Sequence, residues 1–213
     1  MTVNYSLLSI LHDHALSHGD YIAHLLPDRV ITYRRFWSRI ERASARLQGE
    51  WGVVAGDTVI YWGLGHPDAI ILYCALLRLG AMLMPCEGRE REYVQHRVEQ
   101  TKSDLVIHDE AFTYTTSPAH SLASLLADWC YFDPTVIQDE SSKPTLFLPD
   151  LNGEVVSVSE LMQNLSTLKQ SEAAEAVVVD GPIFQKEKLT QLILPALVTR
   201  QRLQFSLIEP LKK

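Results

Sequence analysis

The chain has few of the features that mark several common classes of protein. It contains three cysteines, Cys74, Cys86 and Cys130, and their spacing does not match the Cys-x-x-Cys pairs of metal sites. An odd number of thiols is not typical of a disulfide framework and favours a reducing compartment. Acidic residues outnumber basic ones, the formal charge is −7, and no block of Lys or Arg occurs. A nucleic-acid partner is therefore not expected.

Long apolar segments are missing too. The longest run, residues 69–77, stops at Arg78 and is far shorter than the roughly 20 residues that a membrane helix needs. The start of the chain is amphipathic and interrupted by charge, unlike a signal peptide. We therefore expect no membrane span and a cytoplasmic location. The apolar content of 46% is ordinary for a globular protein that is large enough to bury a core.

The first half of the chain alternates strand and helix patterns. Thr58–Trp62 and Met82–Pro85 read as short apolar strands, and the apolar helix between them begins after Pro67 and ends at Gly80. A polar helix and another strand, residues 104–108, follow. Strands that alternate with helices predict a parallel sheet. The predicted fold class is α/β, with one or more layered sheets and flanking helices.

The pattern weakens between residues 111 and 144, which are polar and rich in turn residues. This stretch is the best candidate for a linker. We therefore predict two units. Residues 1–140 form an α/β subdomain, and residues 141–213 form a second, smaller α/β piece.

The smaller piece opens with a hairpin pattern over residues 144–163. Asn152-Gly153 favours a tight turn, because both residues tolerate positive φ. Ser157 followed by Glu160 predicts a capping box at the start of the next helix.

Four segments of the first half occur together in a family-like order. They are Ile31–Tyr33 before an amphipathic helix, Gly56–Ile60 followed by Pro67, Ala75–Ala81 running into Pro85, and Arg89–Val94 leading to Ser103–Ile107. In this order they resemble the N-terminal domain of the adenylate-forming superfamily, which contains acyl-CoA and aryl-CoA synthetases and the adenylation domains of peptide synthetases. All four are packing and turn signals, so the resemblance implies the fold before it implies any chemistry.

The resemblance implies that a carboxylic acid is activated with ATP, which requires a Ser/Thr/Gly-rich loop with a lysine around the phosphates. The matching segment is Leu148–Glu154, which has no Ser, Thr or Lys and a single Gly. Pro149 lacks an N–H donor, and Asp150 and Glu154 would repel polyphosphate unless a metal bridged them. Asp150 and Glu154 could together hold Mg²⁺. Two carboxylates beside a turn are, however, more often exposed to water without a metal, and we favour that interpretation. We therefore expect the hairpin to retain the strand–turn–strand structure of the family but to lack the groups that bind phosphate.

Two further departures concern the acyl and nucleotide pockets. Gln185 stands where the family has a histidine or an aromatic residue at the border of the acyl pocket. The sequence ends at Lys213, where the family domain would be about half complete. For these reasons we assign no catalytic, cofactor-binding or metal-binding residues. No cofactor is expected, and ATP with Mg²⁺ enters only if the chain is an active ligase.

Two other groups of residues could form a metal site or a nucleotide site. The histidines His12, His14, His18 and His24 lie close together in the sequence, and a metal site is less favoured than a solvated helix edge. Residues 63–65, Gly-Leu-Gly, follow a strand but do not complete a nucleotide-binding fingerprint. We interpret them as a turn with cleft exposure.

Three functions remain open. The leading hypothesis is a non-catalytic, acyl-CoA synthetase-like pseudoenzyme that acts as a binding or assembly module in a biosynthetic pathway. It would form a homodimer or a complex with a biosynthetic enzyme or a carrier protein. The alternative is an ATP-dependent ligase that forms acyl adenylates and is complete only with a partner chain. A third hypothesis is a non-catalytic binder of acyl or aryl ligands.

Overall fold

The computed structural model describes residues 6–103, 105–109, 118–127, 133–134, 144–148, 154–157, 160 and 176–206. The helices are α1 (Leu7–Ser17), α2 (Tyr33–Gly49), α3 (Ala69–Leu79), α4 (Arg91–Thr101), α5 (Leu122–Leu126), α6 (Lys186–Lys188) and α7 (Leu194–Val198), and a π-helical turn, Leu189–Ile193, joins the last two. The strands are β1 (Ile22–Leu25), β2 (Val30–Thr32), β3 (Thr58–Trp62), β4 (Met82–Pro85), β5 (Leu105–His108), β6 (Ala119–Ser121), β7 (Pro144–Leu148), β8 (Glu154–Ser157), β9 (Val177–Val179) and β10 (Leu203–Phe205).

The larger sheet has six strands in the order β6-β5-β3-β4-β7-β8. All neighbours are parallel except β7 and β8, which form an antiparallel hairpin. Strand β3 lies in the middle, and Val59 pairs with Leu83 on one side and Leu105 on the other. The parallel sheet predicted from the alternating pattern is confirmed.

The smaller sheet has the order β2-β1-β10-β9. Its first two strands are an antiparallel hairpin, and β10 runs parallel to both β1 and β9. This sheet therefore joins the N-terminal hairpin to the segment around residues 177–205. Both sheets contain strands from before and after residue 140, and the division into 1–140 and 141–213 stays a prediction.

Helix α3 forms the centre of the core. Its sequence is apolar nearly all round, which predicts burial, and Ala69–Leu79 is buried at every position except Arg78. The helix ends at Gly80, whose φ of 71° places it in the left-handed region that favours glycine. Helix α3 packs against α2, so that one continuous cluster of buried side chains connects both sheets.

Polar side chains cap several of these helices. Thr32 accepts a hydrogen bond from the N–H of Arg35 at 3.4 Å and so caps α2. Ser6 caps α1 and Ser121 caps α5 in the same way, each at 3.1 Å.

Some elements differ from the sequence-based predictions. Strand β6 was not predicted, because its polar sequence resembles a loop and its strand form depends on pairing with β5. Residues 186–198 contain the π-helical turn, where the N–H of Leu194 donates to Leu189 O. Pro195 follows directly. Its ring would collide with the carbonyl of residue 191 in a regular α-helix, and the wider turn relieves this crowding.

The histidines differ in their exposure to solvent. His96 is exposed on α4. His24 is fully buried, so the interpretation of that residue as part of a solvated edge is wrong. Strand β1 directs its ring into the core, 4.5 Å from the ring of Phe36 and 5.4 Å from that of Phe205. Within the described segments, no helix is both long and apolar enough to cross a membrane.

Candidate functional site

The strands of the larger sheet end together at one edge, which we call the carboxyl edge. Parallel strands direct the loops that follow them to the same side, and ligands of α/β sheets bind there. The carboxyl edge receives the loop after β3, the loop after β4 and Asp109 after β5. Because β7 runs parallel to β4, its final residue, Leu148, reaches the same edge.

The β7–β8 hairpin, whose turn matches the position of the family's phosphate loop in the sequence, therefore has its connection at this edge. Leu148 pairs with Glu154, so the connection is limited to residues 149–153. These residues, which include Asp150 and the Asn152-Gly153 pair, lie outside the described residues. The antiparallel strands predicted on either side of the turn are confirmed.

The predicted capping box after the hairpin is present. The N–H of Ser157 donates to the Glu160 carboxylate at 2.7 Å, and the N–H of Glu160 donates to the Ser157 hydroxyl at 3.3 Å. Hydrogen bonds from the N–H and the hydroxyl of Ser157 lower the pKa of Glu160. The capping box predicted from Ser157 and Glu160 is therefore formed directly after the hairpin.

Glu87 connects the two sheets at the carboxyl edge. One carboxylate oxygen accepts the N–H of Ile183 at 2.9 Å, and the other accepts the N–H of Phe184 at 2.8 Å. Burial raises the pKa of Glu87 to about 7, although these two hydrogen bonds act in the opposite direction. The turn that follows β9 in the smaller sheet is therefore attached to the loop that follows β4 in the larger sheet.

Asp109 fills the neighbouring position with a second network. The hydroxyl of Tyr61 donates to one of its oxygens at 2.8 Å, and the N–H of Leu64 donates to the other at 2.7 Å. The Tyr61 oxygen in turn accepts the N–H of His66 at 2.9 Å. Burial raises the pKa of Asp109, and burial together with Asp109 raises that of Tyr61. Both oxygens of Asp109 thus hold the loop after β3 in place.

Both glycines of that loop are buried, and Gly65 lines a cavity that opens beside the loop, whereas Gly63 is not part of its lining. Gly65 has a φ of +91°, and a Cβ there would lie 3.0 Å from the carbonyl oxygen of Gly181 and 3.2 Å from a Glu87 oxygen. A Cβ at Gly63 would lie 2.3 Å from an Asp109 oxygen. The absence of side chains lets two loops from different sheets approach each other closely.

The turn after β9 carries the position that departs from the family pattern. Gln185 is exposed and precedes α6 without capping it through its side chain. Lys188 extends back over the turn, and its ammonium donates to the carbonyl oxygens of Asp180 and Pro182. This lysine therefore stabilises the turn, and its charge also lowers the pKa of Glu87.

Chemically, the described part of the carboxyl edge is acidic. Glu87 and Asp109 lie close enough for the charge of Asp109 to raise the pKa of Glu87. In the described ranges, no group of three His, Cys, Asp or Glu side chains could hold a metal ion. Glu87 and Asp109 thus hold the loops of this edge together through their hydrogen bonds.

A model of the AMP-binding enzyme family matches residues 11–179. The chain belongs to this family. No curated protein matches it. The family membership and the α/β class inferred from the four segments are thereby confirmed.

Solved structures share this fold at low sequence identity. The N-terminal subdomain of NpsA from Klebsiella oxytoca, in complex with 3-hydroxybenzoyl-AMSN, is 18% identical with a TM-score of 0.77 over 93% of this chain and 53% of that one. An artificial fusion of the same adenylation enzyme with a PCP domain, NpsA-ThdA, is 17% identical with a TM-score of 0.76 over 94% and 39%. O-succinylbenzoate coenzyme A synthetase (MenE) from Bacillus subtilis is 13% identical with a TM-score of 0.75 over 92% and 43%. The chain thus spans about half the length of the first structures that it matches.

The residues that build the site were not among the sequence-based candidates. Glu87 and Asp109 had no assigned role, although each lies within two residues of the end of a predicted strand, where the loops of a parallel sheet converge. That position was the available signal. Gln185, which was noted as a departure, lies at the same edge, one residue beyond the N–H of Phe184 that Glu87 binds.

Proposed function

We propose that this AMP-binding-family chain is a non-catalytic, acyl-CoA synthetase-like module that binds or assembles with partners in a biosynthetic pathway. One observation carries the proposal. The pairing of Leu148 with Glu154 limits the phosphate-loop position to residues 149–153, and this segment contains no Ser, Thr or Lys. A loop of this composition has few groups that could stabilise the charge of a departing pyrophosphate.

The surroundings support the same proposal. The carboxylates of Glu87 and Asp109 are fixed at the edge where the loop opens, and Lys188 is engaged by the carbonyl oxygens of its own turn. Where these two acids are ionised, they would repel a polyphosphate at the loop position. We therefore expect binding of ATP to be weak or absent, with no need for Mg²⁺.

A second candidate is an acid-activating ligase that works only together with further polypeptide. The chain spans about half the length of the structures that it matches, so the rest of such an enzyme could come from a longer chain or a partner. Strand β9 lies at the end of the smaller sheet, and Val178 on it is 51% exposed. An edge of this kind can accept a further strand.

Both candidate functions require the chain to associate with another protein. We propose a homodimer, or a complex with a biosynthetic enzyme or a carrier protein. The fused adenylation–PCP structure among the matches supports the carrier. The thiols of Cys74 and Cys86 are buried, and a cytoplasmic location suits them.

ATP–pyrophosphate exchange with a panel of carboxylic acids separates the two candidates. We expect no exchange by the chain alone and no heat on titration with ATP·Mg²⁺, while an active adenylate-forming enzyme measured in parallel gives both. Exchange by the lone chain would overturn the proposal. Exchange that appears only after a partner protein is added would favour the second candidate.

The assembly role has its own measurement. Light scattering of the purified chain should give the mass of a dimer, or the chain should elute with a biosynthetic partner when both are expressed together. A stable monomer that associates with neither would contradict the assembly role and leave a binding role as the remaining form of the proposal.

A further inference from the structure

A cavity of about 570 Å³ opens beside the loop that follows β3. Its volume is in the range of small-molecule sites. Apolar walls come from the turn after β1, through Leu26, and from α5, through Leu122 and Leu126. Its charged lining residues include Arg29, Arg39 and Asp68, which contact one another. A pocket with apolar walls and a few convergent polar groups is the usual form of a ligand site.

The charged side chains form a cluster with an excess of positive charge. Arg29 donates to one oxygen of Asp68 at 2.5 Å, and Arg39 donates to the other at 3.4 Å. The Asp68 side chain is only 7% exposed, so it is held between the two guanidinium groups. Two cations thus share one anion, which leaves a charge of about +1 in the cluster.

The arginines also have hydrogen-bond donors left over. The Nε of Arg29 is buried and has no hydrogen-bond partner among the described residues. The guanidinium group of Arg39 makes one hydrogen bond within the described part of the chain, to Asp68. Buried donors are nearly always paired in folded proteins, with protein, water or ligand. The remaining N–H groups of a guanidinium fork match the geometry of a carboxylate or a phosphate.

A nearby histidine responds to the charge of this cluster. His24 is fully buried, and its pKa is lowered to about 3, first by burial and then by the charges of Arg39 and Arg29. The electrostatic potential of the arginine pair therefore extends into the adjoining core.

Two other acidic residues of the lining do not neutralise the pair. Both oxygens of Asp109 accept hydrogen bonds from the Tyr61 hydroxyl and the N–H of Leu64, so this carboxylate does not pair with the arginines. Asp28 lies at the exposed tip of the turn between β1 and β2, where water screens its charge.

We propose that this cavity binds a small amphipathic oxyanion, with its head group on Arg29 and Arg39 and its apolar body against Leu26 and Leu122. The head group can be a carboxylate or a phosphate, because a guanidinium fork binds both. The inference goes beyond the proposed function. It names a class of ligand and a place for it that do not depend on the phosphate-loop position.

The test is a titration of the whole chain, followed by NMR or calorimetry. The probes are benzoate, phenyl phosphate and the neutral analogue benzamide. We expect one or both anions to bind at least about tenfold more tightly than benzamide, which is the loss typical of one charge-assisted hydrogen bond. The stronger of the two anions identifies the head group. Equal binding of all three probes, or binding of none, would overturn the proposal.

Variants locate the binding. Arg39→Gln should weaken the anion by about tenfold. Arg34→Gln should not, because this arginine of the same helix is 68% exposed and pairs with Asp20 away from the cavity. An equal effect of both would show general attraction to positive charge and contradict the site.

A steric variant keeps the test valid if an arginine variant fails to fold. Ala123 is exposed on α5 and lines the cavity, so Ala123→Trp should fill the cavity and abolish binding without disturbing the arginines. Unchanged affinity in a folded Ala123→Trp protein would exclude the cavity as the site. Because ATP binding and exchange are measured separately, failure here leaves the non-catalytic proposal untouched.

Discussion

Glu87 and Asp68 are both acidic residues of loops between regular elements, yet their partners differ. Both oxygens of Glu87 accept backbone N–H groups, from Ile183 and Phe184. The oxygens of Asp68 are held instead by two arginines, which carry more donors than one carboxylate can use. Both oxygens of Glu87 are thus paired within the protein, and their hydrogen bonds hold the two sheets together. The region around Asp68 keeps hydrogen-bonding capacity beside a cavity, which is the condition for binding a ligand.

The largest effect is expected from removing Asp68. Asp68→Ala leaves two neighbouring guanidinium groups without their shared anion, and the free energy of unfolding should fall by about 2–4 kcal/mol, since breaking a mostly buried ion pair strands its partner. Asp20→Ala is the control, because that side chain is 89% exposed and should cost under about 0.5 kcal/mol. Urea denaturation measures both. Similar losses for the two variants would mean that the arginine cluster contributes no more than a surface pair.

The bridge between the sheets should be nearly as sensitive. Glu87→Ala leaves the N–H groups of Ile183 and Phe184 without their acceptor, and we expect a loss of about 2–3 kcal/mol. Glu99→Ala, an exposed acid on α4, should change stability by less than about 0.5 kcal/mol. Hydrogen exchange of the two amides gives a second measurement, because faster exchange confined to the turn after β9 would localise the effect.

The two regions should also differ in their response to pH. The pKa of Glu87 is raised to about 7 in the folded protein, so the folded state holds this proton more tightly than the unfolded state does. Its contribution to stability is therefore complete below about pH 4.5 and is lost as the pH rises through about 7, with a fall of about 2 kcal/mol between pH 5 and pH 7. Urea denaturation of the wild type and Glu87→Gln at pH 5, 6 and 7 isolates this contribution by difference. Parallel curves for the two proteins would contradict the raised pKa.

The smallest effect concerns the close approach of the two loops. Gly65→Ala and Gly52→Ala both place a side chain on a residue with positive φ, +91° and +73°. Only the first would also meet neighbouring atoms, at 3.0 Å from Gly181 O, whereas nothing lies within 4 Å of a Cβ at Gly52. We expect Gly65→Ala to cost about 1 kcal/mol more than Gly52→Ala. Thermal unfolding compares them, and equal shifts would show that the loops are not tightly packed.

Much of the fold could be predicted because its signals are local. Thr58–Trp62 and Met82–Pro85 were predicted with the bounds that the structure shows, since short apolar runs between turn residues define them. Ser157 was recognised as a cap because its partner, Glu160, lies three residues away. Strand β6 was missed for the opposite reason, since a polar segment becomes a strand there through its neighbour β5.

The candidate sites could not be predicted in the same way. The partners of Glu87 lie 96 and 97 positions along the chain, and Arg29 and Asp68 are 39 positions apart. In the sequence these residues look like ordinary loop charges. His24 likewise appeared to belong with the histidines of α1, and only the direction of strand β1 places it between two aromatic rings.

The sequence by itself determined the family, the alternation of strands and helices and the unusual composition of the phosphate-loop position, because each is written in nearby residues and their order. The tertiary structure alone decided which charges are used within the protein and which remain available to a ligand. The physical reason is that burial and hydrogen bonding depend on every element around a side chain. Glu87 has both of its oxygens occupied by another loop, while the Nε of Arg29 has no partner among the described residues.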